Sequence, residues 1–185
     1  MTPAVAEFRP RRSVLYMPGS NERALEKAKT LPCDGLILDL EDAVAPDAKP
    51  AARDAACAAA ASGAYGKREV TIRINGADTE WHDDDMRAVC AAGPDAIVVP
   101  KVDSADAVLA LVDSMAAHDS PDRTKLWAMV ETPYAMLRAD EIAAASDLAR
   151  GKAEGVPAVI VRGLRVEGDG TAREIVIEPE LDLFS

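Results

Sequence analysis

Apolar runs close on polar or charged residues five times in this chain, and helical patterns fill the intervals between them. Ser13-Val14-Leu15-Tyr16-Met17 closes on Pro18-Gly19, and Gly35-Leu36-Ile37-Leu38-Asp39-Leu40 closes on Glu41-Asp42. Val70-Thr71-Ile72 closes on Arg73-Ile74-Asn75, Ala96-Ile97-Val98-Val99 on Pro100-Lys101, and Leu126-Trp127-Ala128-Met129-Val130 on Glu131-Thr132. The second run is apolar at nearly every position, as a parallel strand covered on both faces requires. Strand then helix, repeated, with chemistry gathered at the carboxyl ends of the strands, is the grammar of a (β/α)₈ barrel. A complete barrel takes about 250 residues, and this sequence has 185. The expected fold class is α/β: a truncated TIM barrel of about five βα units followed by a short β-rich tail.

The pattern predicts strands over 13–17, 35–40, 69–74, 95–100 and 126–131. It predicts helices over 21–30, capped by Ser20, and over 51–61, ended by Gly63 and Gly66. A third helix over 79–92 opens with acids that suit its positive end, a fourth over 104–117 is capped by Ser104, and a fifth runs over 133–149. The grammar then changes. Residues 151–157 are turn-rich, 158–161 and 173–178 read as strands around a glycine-bearing connection, and an acidic tail starts at Pro179. A boundary near 147–156 would divide residues 1–150 from 151–185, and residues 1–10 read as a frayed arm.

Charge and composition narrow the function classes. A net charge of −11 repels phosphates and argues against nonspecific nucleic-acid or anionic-membrane binding. No apolar run reaches the length of a membrane span, and no signal-like segment precedes the first strand, so a cytoplasmic location is expected. Cys33, Cys57 and Cys90 lack the spacing of a zinc or redox site and read as thiols in a reducing compartment.

Among the strand-end residues Glu131 carries the most chemistry. A carboxylate closing an apolar strand is costly unless a cation or donors hold it. It reads either as a Mg²⁺ ligand or as a structural carboxylate paired with Arg73 or Lys101. Arg73 suits a substrate carboxylate gripped by two prongs, and the competing reading is a salt bridge to Glu131 or Asp39. Asp39, Glu41 and Asp42 crowd one strand end; clustered acids suit proton transfer or a metal's water shell, although one of them can be a helix cap. Lys101 can stabilise an anionic intermediate or be a solvated strand-end lysine. The segment Gly63-Ala64-Tyr65-Gly66-Lys67 fails as a phosphate loop, because Ala61 stands at the first glycine position and Arg68 at the Ser/Thr position. His82 and His118 read as surface residues, and Trp81, Trp127 and Tyr134 as packing residues.

Five motifs in one order carry a specific likeness: Arg12-Ser13-Val14-Leu15 with Pro18-Gly19, Leu38-Asp39-Leu40-Glu41-Asp42-Ala43-Val44, Arg73-Ile74-Asn75, Val99-Pro100-Lys101 and Val130-Glu131-Thr132-Pro133. Over about residues 11–150 the chain resembles the citrate lyase beta subunit family of the HpcH/HpaI aldolase superfamily. The resemblance implies a TIM barrel, Mg²⁺, and a carbon–carbon lyase acting on an acyl-CoA and 2-oxo acid pair. It implies Glu131 as the metal ligand and Arg73, with Asn75 beside it, as the substrate grip. Glu41, Asp42 and Lys101 join Arg73 as the catalytic set. Two departures accompany it. The family's second metal carboxylate, at the end of the sixth strand, has no counterpart in Val161-Arg162-Gly163. From Gly151 onward the chain resembles the tail of deazaflavin-coenzyme γ-glutamyl ligases, so it reads as a fusion. A homo-oligomer is expected if the chain folds. The alternative functions are a non-catalytic remnant or interaction protein derived from such a lyase and, more remotely, a ligase.

Overall fold

The structure is a computed structural model that describes residues 11–150, 158–162 and 175–176, with side chains through Ala145. The expectations for the N-terminal arm, the turn-rich join, the glycine-bearing connection and the acidic tail lie outside the described residues. Among the described residues the strands form one sheet in sequential order. They are β1 (Val14–Pro18), β2 (Gly35–Asp39), β3 (Glu69–Arg73), β4 (Ala96–Val99), β5 (Lys125–Val130), β6 (Ala158–Arg162) and β7 (Ile175–Val176). Each pair from β1 to β6 is parallel, and β7 returns antiparallel to β6. The helices between them are α1 (Glu22–Ala28), α2 (Lys49–Ala61), α3 (His82–Ala92), α4 (Ala105–Ala117), α5 (Pro133–Leu137) and α6 (Ala139–Arg150). Sequential parallel strands with a helix in each crossover are the topology of a barrel wall.

The alternation along each strand sorts the side chains onto two faces. Leu36, Leu38, Leu40, Val70, Ile72, Ile74, Ile97, Val99, Leu126, Ala128 and Val130 form one buried layer with the apolar stripes of the helices. Ile37, Ala96, Val98, Trp127 and Met129, with Val14 and Tyr16, form a second layer on the other face of the sheet. Burying one such Leu, Ile or Val side chain is worth about 1.5–3 kcal/mol, so the helix-backed layer dominates the cohesion of the fold. The second layer is closed at the amino ends of the strands by an ion pair. Arg11 reaches Glu69, the first residue of β3, and lies 5.0 Å over the Trp127 ring.

Several boundaries differ from the sequence reading, for identifiable reasons. Asn21, not Ser20, caps α1, its Oδ1 accepting from the Ala24 N–H at 3.0 Å. Helix α2 begins two residues early at Lys49, and its C-cap is Ser62, with Gly63 following at φ +64°. The helix expected over 133–149 divides at Arg138, whose φ of −121° leaves the helical region. Residues 158–162 pair in parallel with β5 as the sixth wall strand and also antiparallel with β7, so the two strands expected after the fifth helix do pair with each other, on the edge of the wall. Ser104 caps α4 as expected, accepting from the Ala107 N–H.

Candidate active site

The register of the sheet brings the predicted residues together. Asp39 and Arg73, the last residues of β2 and β3, are direct lateral neighbours. Both occupy inward positions, continuing the alternation of Ile37 and Thr71. Gly19 holds the chain close to this rim: its N–H donates to the Asp39 carbonyl at 2.8 Å, and a Cβ there would meet that oxygen at 2.9 Å. Only glycine fits so near an approaching backbone.

The Arg73 guanidinium is already gripped. Its Nε and Nη2 donate to the two Asp39 oxygens at 2.7 Å each, and its plane lies 4.9 Å from the Tyr16 ring. The salt bridge to Asp39 is therefore the arrangement formed, and Nη1 alone faces the mouth. Burial opposes the guanidinium charge, yet the Asp39 contacts hold its pKa above the ordinary arginine value. Asp39 is fixed in turn, because its oxygens also accept from the N–H groups of Glu41 at 2.9 Å and Ala43 at 3.0 Å. It acts as the cap of the turn that presents Glu41 and Asp42.

Glu41 is 7% exposed and sits between two cations. Its Oε1 is 3.1 Å from Lys101 Nζ, and its Oε2 is 3.0 Å from Arg73 Nη1. The second contact lacks hydrogen-bonding alignment, so Oε2 is buried with charge beside it and no hydrogen-bond donor. Burial pushes the Glu41 carboxyl upward, while Lys101 and Arg73 pull it back. Asp42 is exposed and lies 3.8 Å from Arg73 Nη1. Lys101 is held with its ammonium charged by Glu41, which raises its pKa. Its backbone has φ 55°, a left-handed conformation that costs a non-glycine residue roughly 1–2 kcal/mol. That turn aims its N–H at Glu131 Oε1, 2.9 Å away. Strain of this kind concentrates at functional rims.

Glu131 follows β5 directly and is exposed, with an amide on one oxygen and neither Arg73 nor the Lys101 ammonium as its recorded partner. Asn75 lies behind the rim. Its Oδ1 accepts from Lys49 at 2.7 Å and its Nδ2 donates to Asp85 at 2.6 Å, so both ends of the amide are engaged inside the protein. His82 is buried, with Nδ1 2.9 Å from the Asn75 carbonyl, and does not belong to the surface as the sequence suggested. Lys49 and Asp85 were missed. The signal for Asp85 was present in the helical period, which stacks it one turn from Val89 and His82 on the buried stripe of α3.

The donor set suits a hard divalent cation. Glu131 and Asp42 are exposed carboxylates at the mouth, and Glu41 Oε2, buried without a hydrogen-bond donor, shares Arg73 Nη1 with Asp42. Among the described residues no cluster of three such ligands forms. Mg²⁺ is commonly held by one or two carboxylates with water filling the remaining positions.

The family model described as HpcH/HpaI aldolase/citrate lyase matches residues 12–159. The chain belongs to that family. It is 51% identical over 135 residues to a (3S)-malyl-CoA thioesterase of Cereibacter sphaeroides, covering 73% of this chain and 45% of that protein. It is 36% identical over 173 residues to the citrate lyase subunit beta of Escherichia coli, covering 91% and 57%. The chain thus spans about half the length of the curated relatives it matches. The solved structure of citrate lyase beta subunit from M. tuberculosis, complexed with oxaloacetate and magnesium, superposes with a TM-score of 0.61 at 28% identity, covering 86% of this chain and 66% of that one. The structure of protein CitE from Mycobacterium tuberculosis, with magnesium, acetoacetate and coenzyme A, gives 0.61 at 27% identity, covering 86% and 55%.

Proposed function

We propose that the chain carries the catalytic rim of a Mg²⁺-dependent carbon–carbon lyase acting on an acyl-CoA and 2-oxo acid pair. The supporting observation is the convergence of Asp39, Glu41, Asp42, Arg73, Lys101 and Glu131 at the carboxyl ends of neighbouring strands. A relative of known structure holds magnesium with oxaloacetate in a fold of the same kind.

In this reading Glu131, with Asp42 or with Glu41 Oε2 drawn away from Arg73, would hold the metal. Mg²⁺, when bound there, would draw electron density from the oxygens of a 2-oxo acid. Arg73 Nη1 and the Lys101 ammonium supply fixed positive charge where an enolate develops, and Asp39 keeps the guanidinium from turning. Glu41, whose carboxyl burial pushes upward against the pull of Lys101 and Arg73, is placed to hold or pass a proton at Oε1. Asn75 contributes by fixing the rim from behind. The cytoplasmic, oligomeric and two-ancestor expectations remain part of this proposal. Among the described residues no helix is long and apolar enough to cross a membrane.

The 51% identity to a thioesterase favours a second reading, hydrolysis of the same thioester. One experiment separates them. The purified chain is incubated with (3S)-malyl-CoA and Mg²⁺, released thiol is followed with a disulfide reagent, and glyoxylate is trapped as its phenylhydrazone. Hydrazone without thiol identifies the lyase, and thiol with malate identifies the thioesterase. Neither product, from a cooperatively folded chain, leaves the non-catalytic reading.

A further inference from the structure

Lys49 occupies a position that local physics disfavours. It is the first residue of α2, where the helix dipole repels a cation, and it is 5% exposed although a lysine there could extend into water. The side chain turns inward instead. Its ammonium donates to the Leu40 carbonyl at 2.9 Å, the Glu41 carbonyl at 3.0 Å and Asn75 Oδ1 at 2.7 Å. These acceptors use all the N–H groups an ammonium possesses. Trp81 covers the same ammonium at 4.9 Å.

The acceptors identify what the lysine fixes. Strand β2 ends at Asp39, so the Leu40 and Glu41 carbonyls lie beyond the β2–β3 ladder. They belong to the two peptide groups that flank the Cα of Glu41, at the start of the turn that carries its carboxylate. The third acceptor, Asn75, is tied to Asp85 of α3, and Asp85 Oδ1 accepts from Arg53 Nε of α2 at 2.6 Å. A closed circuit thus runs from α2 through the ends of β2 and β3 to α3 and back.

We propose that Lys49 is a positioning residue of the rim: where Asp39 holds the N–H groups of the turn, Lys49 holds the carbonyls of Leu40 and Glu41, so that the Glu41 carboxylate meets Lys101 and Arg73. Its hydrogen bonds go to two backbone carbonyls and an amide, and to no carboxylate. The structural part of the inference stands alone; its consequence for ligand binding rests on the reading under Proposed function.

The test compares Lys49→Met with Glu69→Gln, which disturbs a buried ion pair at the opposite end of β3. Crystal structures and calorimetric titration of oxaloacetate in Mg²⁺ are obtained for both, alongside melting temperatures. Lys49→Met is expected to move the Glu41 carboxylate out of contact with Lys101 and Arg73 and away from where Mg²⁺ would receive it, and so to weaken binding in Mg²⁺ about 10- to 100-fold, the scale of a misplacement near 1 Å. Glu69→Gln is expected to bind within about twofold of wild type at a comparable loss of melting temperature. Glu41 unmoved in Lys49→Met crystals overturns the proposal, as does loss of binding in both variants in proportion to their melting temperatures. Should Lys49→Met fail to fold, Lys49→Gln, which keeps a short donor, is read by the same crystallographic criterion. If the wild type binds neither Mg²⁺ nor oxaloacetate, the functional reading fails, and the position of Glu41 in the variant crystals still decides the role of Lys49.

Discussion

Replacing Asp39 by asparagine tests the central pair of the rim most directly. Each carboxylate oxygen accepts two N–H donors: Oδ1 from Arg73 Nε and the Glu41 amide, Oδ2 from Arg73 Nη2 and the Ala43 amide. An asparagine has the same shape, but its NH₂ must face two donors whichever way it turns. The Arg73 charge, 8% exposed, then keeps only the misaligned Glu41 and the distant Asp42 as counterions. Breaking a buried ion pair from one side costs about 3–5 kcal/mol. In a chain of this size each kcal/mol lowers Tm by about 2–4 °C, so a fall of roughly 6–20 °C is expected in a circular-dichroism melt. Such a loss is a large part of the ~5–15 kcal/mol that holds a typical domain together. The double variant Asp39→Asn/Arg73→Met removes the stranded charge as well, and is expected to lose less than the sum of its single variants by about 0.5–3 kcal/mol. A single variant melting within about 2 °C of wild type, or strict additivity in the double, would refute the reasoning.

Glu131→Gln should abolish protection by Mg²⁺, since a neutral amide is a poorer ligand. Wild type at 100 times its dissociation constant gains about 2.7 kcal/mol, or roughly 5–11 °C, and equal protection of the variant would remove Glu131 from the metal site. Burial pushes the Cys57 thiol from 9.0 up to about 11, so the folded chain keeps a proton there that the unfolded chain releases. That contribution to stability is whole below pH 9 and is lost as pH rises toward 11. Cys57→Ala should flatten urea-denaturation stability across that window, and an unaltered slope would show that the thiol is not desolvated as described.

The wall of the fold was legible because parallel strands buried on both faces are near-continuous apolar runs, the pattern of Leu36 to Leu38 and Leu126 to Val130. The convergence of Asp39 with Arg73 followed, since consecutive strands in one wall bring their ends together. What remained hidden were matters of competition between equivalent local choices. Ser20 and Asn21 both cap helices, and geometry at the Pro18-Gly19 turn selected the second. Asp83, Asp84 and Asp85 all suit the start of α3, yet helical phase sends only Asp85 inward, where it meets Arg53 and Asn75. Lys49 gave no sign at all, because a lysine ahead of an alanine-rich helix reads as solvent-exposed. Its role is visible only once the carbonyls at the end of β2 are seen to lack ladder partners.

The same accounting constrains how a ligand can enter. Asp39 is consumed by Arg73 and two amides, and Lys101 meets Glu41 through its ammonium and Glu131 through its backbone N–H. An anionic substrate reaching Arg73 Nη1 must therefore displace Glu41 rather than fill an empty place. Such an exchange is favourable only if the displaced carboxylate finds new positive charge. Glu41, Asp42 and Glu131 around Arg73 and Lys101, with Asp39 behind, leave the mouth with more negative than positive groups. A divalent cation restores the balance and offers Glu41 that partner. Metal and 2-oxo acid should then bind with positive coupling: the affinity for oxaloacetate rises with Mg²⁺ and, by linkage, the affinity for Mg²⁺ rises by the same factor with oxaloacetate. Independent binding of the two would mean that Glu41 does not move, and that the anion is received elsewhere.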